Sequence, residues 1–287
     1  WRRSHAIVHY WRWFKLPRDR HLDRSVNAVN VAIRGFMAEA RVRLQDSARR
    51  AAPHNLLEAM IVAADEPGSG MSDDDVVGNV FTMLLAGEDT TATSLSWMIY
   101  LMSRNPQTLQ RARQEVDSTL GDLKDWTADD LGKLDYLEAC IHESMRIKPV
   151  GPFNVVQALK DTVVGDVQIR EGTSVVMVMR HDTLRDDTFP QAERFMPERW
   201  LGDASQLAPS HAKRVSMPFG AGPRICPGRY LALLEIKMAM ALVLSDFEID
   251  QVRTARGGEA AETMAFAMGP EPLTLRLSQA RNARAAA

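Results

Sequence analysis

The chain has 287 residues, enough for one large domain or two small ones, and 45% of them are hydrophobic, an ordinary content for a chain that buries a core. Its 35 Lys and Arg against 37 Asp and Glu leave a net charge of −2, which gives no reason to expect a nucleic-acid partner. Two cysteines, Cys140 and Cys226, make no disulfide framework, no apolar run is long enough to span a bilayer and no signal peptide is visible, so a reducing, cytoplasmic setting is expected. The first residue is Trp1 rather than Met, so the chain reads as N-terminally incomplete, and an anchor further upstream would be invisible.

Residues Trp1 to Lys15 are basic and aromatic, which suits an amphipathic wall against a neighbouring element better than a membrane-surface patch. Leu22, Val26, Val29, Ile33, Phe36, Ala40 and Leu44 recur at spacings of three and four, the apolar face of a helix from about Arg20 to Arg49. A short helix follows from Asn55 to about Ala64, broken by Glu66-Pro67-Gly68-Ser69-Gly70. Ser72 is an N-cap candidate, with Asp73, Asp74 and Asp75 at the positive end of the next helix dipole. That helix runs to about Arg104, where Asn105-Pro106 stops it and starts another.

The middle of the long helix, Val80 to Ala86, is apolar on nearly every face, which predicts burial. Directly after it come Gly87, Glu88, Asp89, Thr90 and Thr91. A glycine costs about 1 kcal/mol in a helix interior, and a buried carboxylate costs more unless partnered. Such breaks with local rules mark candidate functional sites. The plain alternative is a surface turn with both carboxylates solvated.

Further helices are expected from Asn105 to Gly121, from Thr127 to Leu134, and from Tyr136 to Ile147 with Asp135 as its cap. On the last, Glu143 and Arg146 are three apart and share a face; alone, such a pair is often a surface bridge worth little. Short strands are expected at Phe153 to Leu159, Thr162 to Val164, Val167 to Ile169 and Ser174 to Met179. After a long helix from Arg229 to about Leu244, strands follow at Phe247 to Val252, Thr263 to Met268 and Leu273 to Leu277, and the tail from Arg281 frays. The fold class is mainly α with a smaller β portion.

The stretch Pro218-Phe219-Gly220-Ala221-Gly222-Pro223-Arg224-Ile225-Cys226-Pro227-Gly228 holds three glycines and three prolines in eleven residues, which forbids a regular element. Cys226 therefore sits in a stiff loop at a helix N-terminus, where orphan N–H groups and the helix dipole favour negative charge. A thiolate held there is a soft ligand suited to iron. A lone cysteine is otherwise most often a small core hydrophobe.

Phe219, Gly222, Arg224, Cys226 and Gly228 match Phe-x-x-Gly-x-Arg-x-Cys-x-Gly at every specified position, and this stretch resembles the haem loop of the cytochrome P450 family. Ala86-Gly87-Glu88-Asp89-Thr90-Thr91 resembles that family's oxygen-binding motif, and Glu143, Arg146 and Arg199 of Met196-Pro197-Glu198-Arg199-Trp200 resemble its structural triad, all in the family's order. The resemblance covers about Pro17 to Leu277 and implies the C-terminal two-thirds of a single haem-thiolate monooxygenase domain spanning residues 1–287, its N-terminal part absent.

By resemblance, Cys226 is the axial ligand of a haem b iron, Arg224 pairs with a propionate, and Phe219 packs beside the sulfur. Gly220 and Gly222 allow the turn, and Gly228 lets the helix approach the porphyrin. Ala86 and Gly87 leave room for O₂. Asp89 and Thr90 form the acid–alcohol pair that delivers protons into a dry pocket. Gln157 departs from the pattern, since many relatives place there an arginine that meets a propionate. The implied reaction places one atom of O₂ on a small organic substrate, with two electrons from a ferredoxin or flavoprotein reductase. A haem-thiolate peroxygenase or isomerase, and a haem-responsive Cys-Pro regulator, are the alternatives. Lys213, Arg214, Arg229 and Lys237 surround the loop, and the last two are eight apart, close to two helical turns, so a basic docking patch for an acidic donor is expected.

Overall fold

The computed structural model describes residues 10–121, 125–202 and 212–280. The chain forms two compact units, residues 1–86 and 87–287, and the division falls inside one helix. Most of Trp1 to Lys15 and the whole tail from Arg281 lie outside the described residues.

The first unit holds α1 (Pro17–Arg43), α2 (Ser47–Ala51), α3 (Leu56–Ala64) and the start of α4 (Asp73–Ser103). Its core is Ile33, Met37, Ala40 and Leu44, packed with Ile61, Val76 and Val77. The buried stripe of α1 thus begins only at Ile33. Leu22, Val26, Val29 and Phe36 are exposed, and Met37 takes the inward place expected of Phe36. The single helix expected to reach Arg49 stops at Arg43. A new one starts because the Asp46 carboxylate accepts from the Ala48 N–H at 2.9 Å. At the start of α4, Ser72 and Asp75 cap each other: the Asp75 N–H donates to Ser72 Oγ at 3.2 Å and the Ser72 N–H to Asp75 Oδ2 at 2.8 Å.

Glu58 of α3 is the charged centre of this unit. Its carboxylate is buried and accepts from Arg49 at 2.9 Å, from Arg43 at 3.0 Å and from the His54 N–H at 3.1 Å. The Arg49 hydrogen bond, against the opposing push of burial and helped by Arg43, holds its pKa at about 2 rather than 4.5. A depressed carboxylate pKa stabilises the fold above the unfolded value and loses that contribution as pH falls through the folded one. The α1–α3 unit should therefore loosen between about pH 4.5 and pH 2. Acid titration followed by circular dichroism checks this, and Glu58→Gln should flatten that part of the curve.

The second unit adds α5 (Pro106–Leu120), α6 (Ala128–Gly132), α7 (Asp135–Ile147), α8 (Met179–Thr183), α9 (Ala212–Val215) and α10 (Arg229–Asp246). Trp97, Met98 and Met102 of α4, Val116 and Leu120 of α5, Leu137 and Ile141 of α7, and Ile236, Met240 and Leu244 of α10 share one core. The N-terminus of α7 is not capped by Asp135. The Glu115 carboxylate reaches across from α5 to accept from the Tyr136 N–H at 2.7 Å and the Leu137 N–H at 2.8 Å.

The β portion consists of antiparallel pairs. Strand β1 (Phe153–Gln157) pairs with β4 (Ser174–Val178), with Phe153 opposite Val178, and encloses the hairpin of β2 (Thr162–Val164) and β3 (Val167–Ile169). Strand β5 (Phe247–Thr254) pairs with β8 (Leu273–Gln279), with an irregularity between Ile249 and Gln251. The single strand expected over Thr263 to Met268 is instead a hairpin of β6 (Glu262–Met264) and β7 (Met268–Pro270), turned at Ala265-Phe266-Ala267. Its residues fold back because the Trp97 indole N–H holds the Met268 carbonyl at 3.0 Å and Val150 O accepts from the Met268 N–H at 2.8 Å. No helix among the described residues is long and apolar enough to cross a membrane.

Candidate functional site

The Cys226 loop is built by its glycines. Gly220 and Gly222 adopt φ of +73° and +67°, backbone that a residue with a Cβ enters only at a cost. Gly220 N–H donates to Met217 O at 2.9 Å, and a short 3₁₀ turn, Gly222–Arg224, is closed by Ile225 N–H to Gly222 O at 3.1 Å. These turns bring the Cys226 N–H to Phe219 O at 2.8 Å, and α10 begins three residues later. Phe219 is half-buried and packs on the main core, while the Cys226 side chain stays partly open. Arg224 is exposed, and its guanidinium makes no hydrogen bond or ion pair with the described residues.

The second cysteine behaves differently. Cys140 is buried in the core of α7, and burial pushes its thiol well above the usual range. A closed-off thiol of that kind is a poor ligand, which leaves Cys226 as the thiol available to a metal. A soft sulfur donor open to one side, with an uncommitted guanidinium two residues before it, fits the iron and the carboxylates of a haem.

The triad expected from the sequence is assembled. Glu143 and Arg146 are both 0% exposed, so the pair is no surface bridge. Glu143 accepts from Arg146 Nε and Nη2, each at 2.8 Å, and from Arg199 Nε at 3.2 Å. It also accepts from the Trp200 indole N–H at 2.8 Å and the Met196 N–H at 2.9 Å. Arg146 spends its other donors on the Thr183 carbonyl at 2.7 Å and the Arg194 carbonyl at 3.2 Å. Sequence reasoning missed Trp200, although a buried indole N–H needs an acceptor and Trp200 directly follows Arg199. The two carbonyls carry no sequence signal.

Two expectations fail. The turn of α4 before and through the Gly87 motif is not sealed: Leu84 and Leu85 are 58% and 53% exposed, and Glu88 and Asp89 are exposed as well. Thr90 is half-buried, and its carbonyl accepts from Ser94 Oγ at 2.8 Å. Apolar composition says what a helix can bury, not what the chain holds against it. The second failure is Lys237. It is 6% exposed, and its Nζ donates to Glu138 Oε2 at 2.5 Å. His142, then Lys237, hold the Glu138 carboxyl at about 2 despite its partial burial. Lys237 lies on the core face of α10 beside Ile236 and Met240, and α10 is apolar nearly all round, so no sequence marker distinguished that face. Arg229 is half-buried with its guanidinium over the Tyr230 ring at 4.4 Å. The side chains of Lys213 and Arg214 lie outside the described set.

Gln157 is engaged at the end of β1, its amide donating to the carbonyl of Gly172 in the turn before β4 at 2.8 Å. Gly87 and Gly228 are not demanded by contacts within the chain. A Cβ on Gly87 would meet nothing within 4 Å, and one on Gly228 would sit 3.9 Å from Cys226 Sγ, ordinary contact.

The model of the cytochrome P450 family matches residues 2–277, and the chain belongs to that family. The mitochondrial 1,25-dihydroxyvitamin D(3) 24-hydroxylase of Rattus norvegicus is 36% identical over 179 residues, 62% of this chain and 34% of that protein. A self-sufficient cytochrome P450 monooxygenase of Oidiodendron maius is 33% identical over 233 residues, 80% of this chain and 21% of that protein. Among solved structures, the heme domain of cytochrome P450DA is similar with a TM-score of 0.75 at 27% identity, covering 89% of this chain and 55% of that one. The chain thus spans about a third or less of these curated relatives.

Proposed function

We propose that the chain is the Cys226-bearing part of a haem-thiolate monooxygenase, which places one atom of O₂ on a small organic substrate. The observation that carries this reading is the half-open Cys226 thiol in a glycine-built turn at the mouth of α10. Bound there, a haem b would supply the iron at which O₂ is activated with two electrons from a donor.

The chain's own residues then have distinct tasks. Cys226 ligates through sulfur, with negative charge favoured by the N–H groups and dipole of α10. Arg224 binds a carboxylate of the cofactor with its free guanidinium. Phe219 limits the access of water to the sulfur, and Gly220, Gly222 and Gly228 keep the loop narrow. On α4, Ala86 and Gly87 present no bulk, Thr90 offers a hydroxyl, and Asp89 is a carboxylate able to take a proton from water and pass it on. Its exposure supports the proton-collecting half of that role.

The donor is of the ferredoxin or flavoprotein-reductase kind. With Lys237 committed to Glu138, docking at α10 relies on Arg229 among the described basic side chains proposed for the patch. Two free cysteines agree with a reducing, cytoplasmic setting.

Thr90→Ala should retain cofactor yet release more hydrogen peroxide per electron consumed. Asp89→Asn should slow turnover more, by about 100-fold, the usual scale of a lost proton-transfer group. Product formed per electron in the holoenzyme decides it. Equal coupling in Thr90→Ala and the parent would remove Thr90 from the mechanism.

A further inference from the structure

Glu262, at the start of β6, is held by two cations from two other elements. Its Oε1 accepts from Lys148 Nζ at 2.7 Å and from Arg180 Nη2 at 2.7 Å, and Arg180 Nη1 also donates to Oε2. Burial pushes its pKa up, but the hydrogen bonds and charges of Arg180 and Lys148 together outweigh it and leave the pKa lowered. Lys148 is the residue after α7, almost fully buried, with its ammonium 5.1 Å from the centre of the Trp97 ring. Arg180 is the second residue of α8. One carboxylate therefore ties the β6–β7 hairpin to the end of α7 and to α8.

The α8 end of this clasp leads to the Cys226 loop. Met179 and Arg180 both donate their N–H groups to Pro152 O, at 3.1 and 3.4 Å, which fixes α8 to the residue before β1. Asn154 of β1 donates to Met179 Sδ at 3.8 Å, and the same amide nitrogen lies 3.7 Å from where a Cβ on Gly220 would be. Met179, Arg180 and Thr183 also line one small cleft with Ser216, Met217 and Pro218, the residues that lead into the loop. Met217 O in turn accepts the Gly220 N–H at 2.9 Å, the bond that starts the turn.

We propose that Glu262 is a positioning residue for the Cys226 loop, acting through Arg180 and Lys148. Without its charge, two buried or half-buried cations repel across the junction. Arg180 then turns toward solvent, and α8 no longer holds Ser216 to Pro218 in place. The loop opens locally while the main core stays shut, because apart from the Lys148 ammonium beside the Trp97 ring these contacts lie outside the α4–α5–α7–α10 core. The inference rests on the reading of Cys226 as the functional thiol, but its test does not.

The two cysteines make the measurement. Cys226 reports the loop, and Cys140, sealed inside α7, reports opening of the core. The 287-residue chain, Glu262→Gln and Glu262→Asp are treated with iodoacetamide below their unfolding temperatures, and labelling at each cysteine is followed by mass spectrometry. Glu262→Gln should label Cys226 about tenfold faster, with Cys140 unchanged, and Glu262→Asp should restore much of the parent rate. Lys148→Met, which leaves the Arg180 bond in place, should give a smaller rise. An unchanged Cys226 rate in Glu262→Gln, or a parallel rise at both cysteines, overturns the proposal. Failure of Cys226→Ala to alter the haem spectrum would overturn the ligand assignment and leave this result standing.

Discussion

Glu143→Ala is expected to leave no stably folded chain. The carboxylate it removes is fully buried and accepts from Arg146, Arg199, the Trp200 indole and the Met196 N–H. Truncation leaves the Arg146 guanidinium buried with only carbonyl acceptors, at 2.7 and 3.2 Å, and no counter-charge. Breaking a buried pair on one side costs about 3–5 kcal/mol, and an indole N–H left without its acceptor adds about 1–3 kcal/mol. Against a total stability of about 5–15 kcal/mol, that removes much or all of the margin. Soluble yield and the thermal midpoint by circular dichroism read it out. Glu143→Gln, which keeps an acceptor for Trp200 but not the charge, should fall between. A soluble Glu143→Ala chain melting within a few degrees of the parent would show that neighbouring groups or water replace the carboxylate.

Cys226→Ala should fold and lose its spectrum. The side chain is partly open, and its deletion removes no hydrogen bond of the loop, whose turn is closed by the main chain of Gly220, Ile225 and Cys226 itself. Stability should therefore change by less than about 1.5 kcal/mol, as for a surface or half-buried substitution. Reduced holoprotein treated with carbon monoxide should show the red-shifted Soret band of thiolate ligation, and Cys226→Ala should abolish it. Cys140→Ala is the control and should keep the band, since that thiol is closed in the core. A band that survives Cys226→Ala would move the ligand elsewhere and end the reading proposed for the loop.

The site was more legible than its surroundings. Short-range constraints could be read directly: glycines that allow positive φ, prolines that deny a strand or helix, and a glutamate and arginine one helical turn apart. Helix termini were equally local. Ser72 caps the helix at which it was expected, and Asn55 and Thr127, expected as the first residues of helices, are the caps of those helices. What failed depended on distant partners. Asp135 lost its capping role to Glu115, twenty residues earlier on another helix. Lys237 was misplaced because α10 offers no polar stripe to show which face turns inward. Phe36 and Met37 are both apolar neighbours on α1, and only packing against α3 and α4 decides between them. The hairpin at Ala265-Phe266-Ala267 carries no glycine or proline to announce a turn, and its reversal depends on Trp97 and Val150.

The Glu143 cluster also bears on how the protein is made. Glu143 and Arg146 meet as soon as α7 forms, but Thr183, Arg194, Arg199 and Trp200 are synthesised later. The 54 residues from Arg146 to Trp200 take roughly 3–10 s to translate at about 5–20 residues per second. Over that interval the nascent helix carries a charged pair in water, where the cost is small. Burial becomes affordable only once the last indole has emerged. A ribosome that stops before residue 200 thus releases a chain whose central helix cannot enter its own core, and such a product should be degraded rather than accumulate as a partly folded chain.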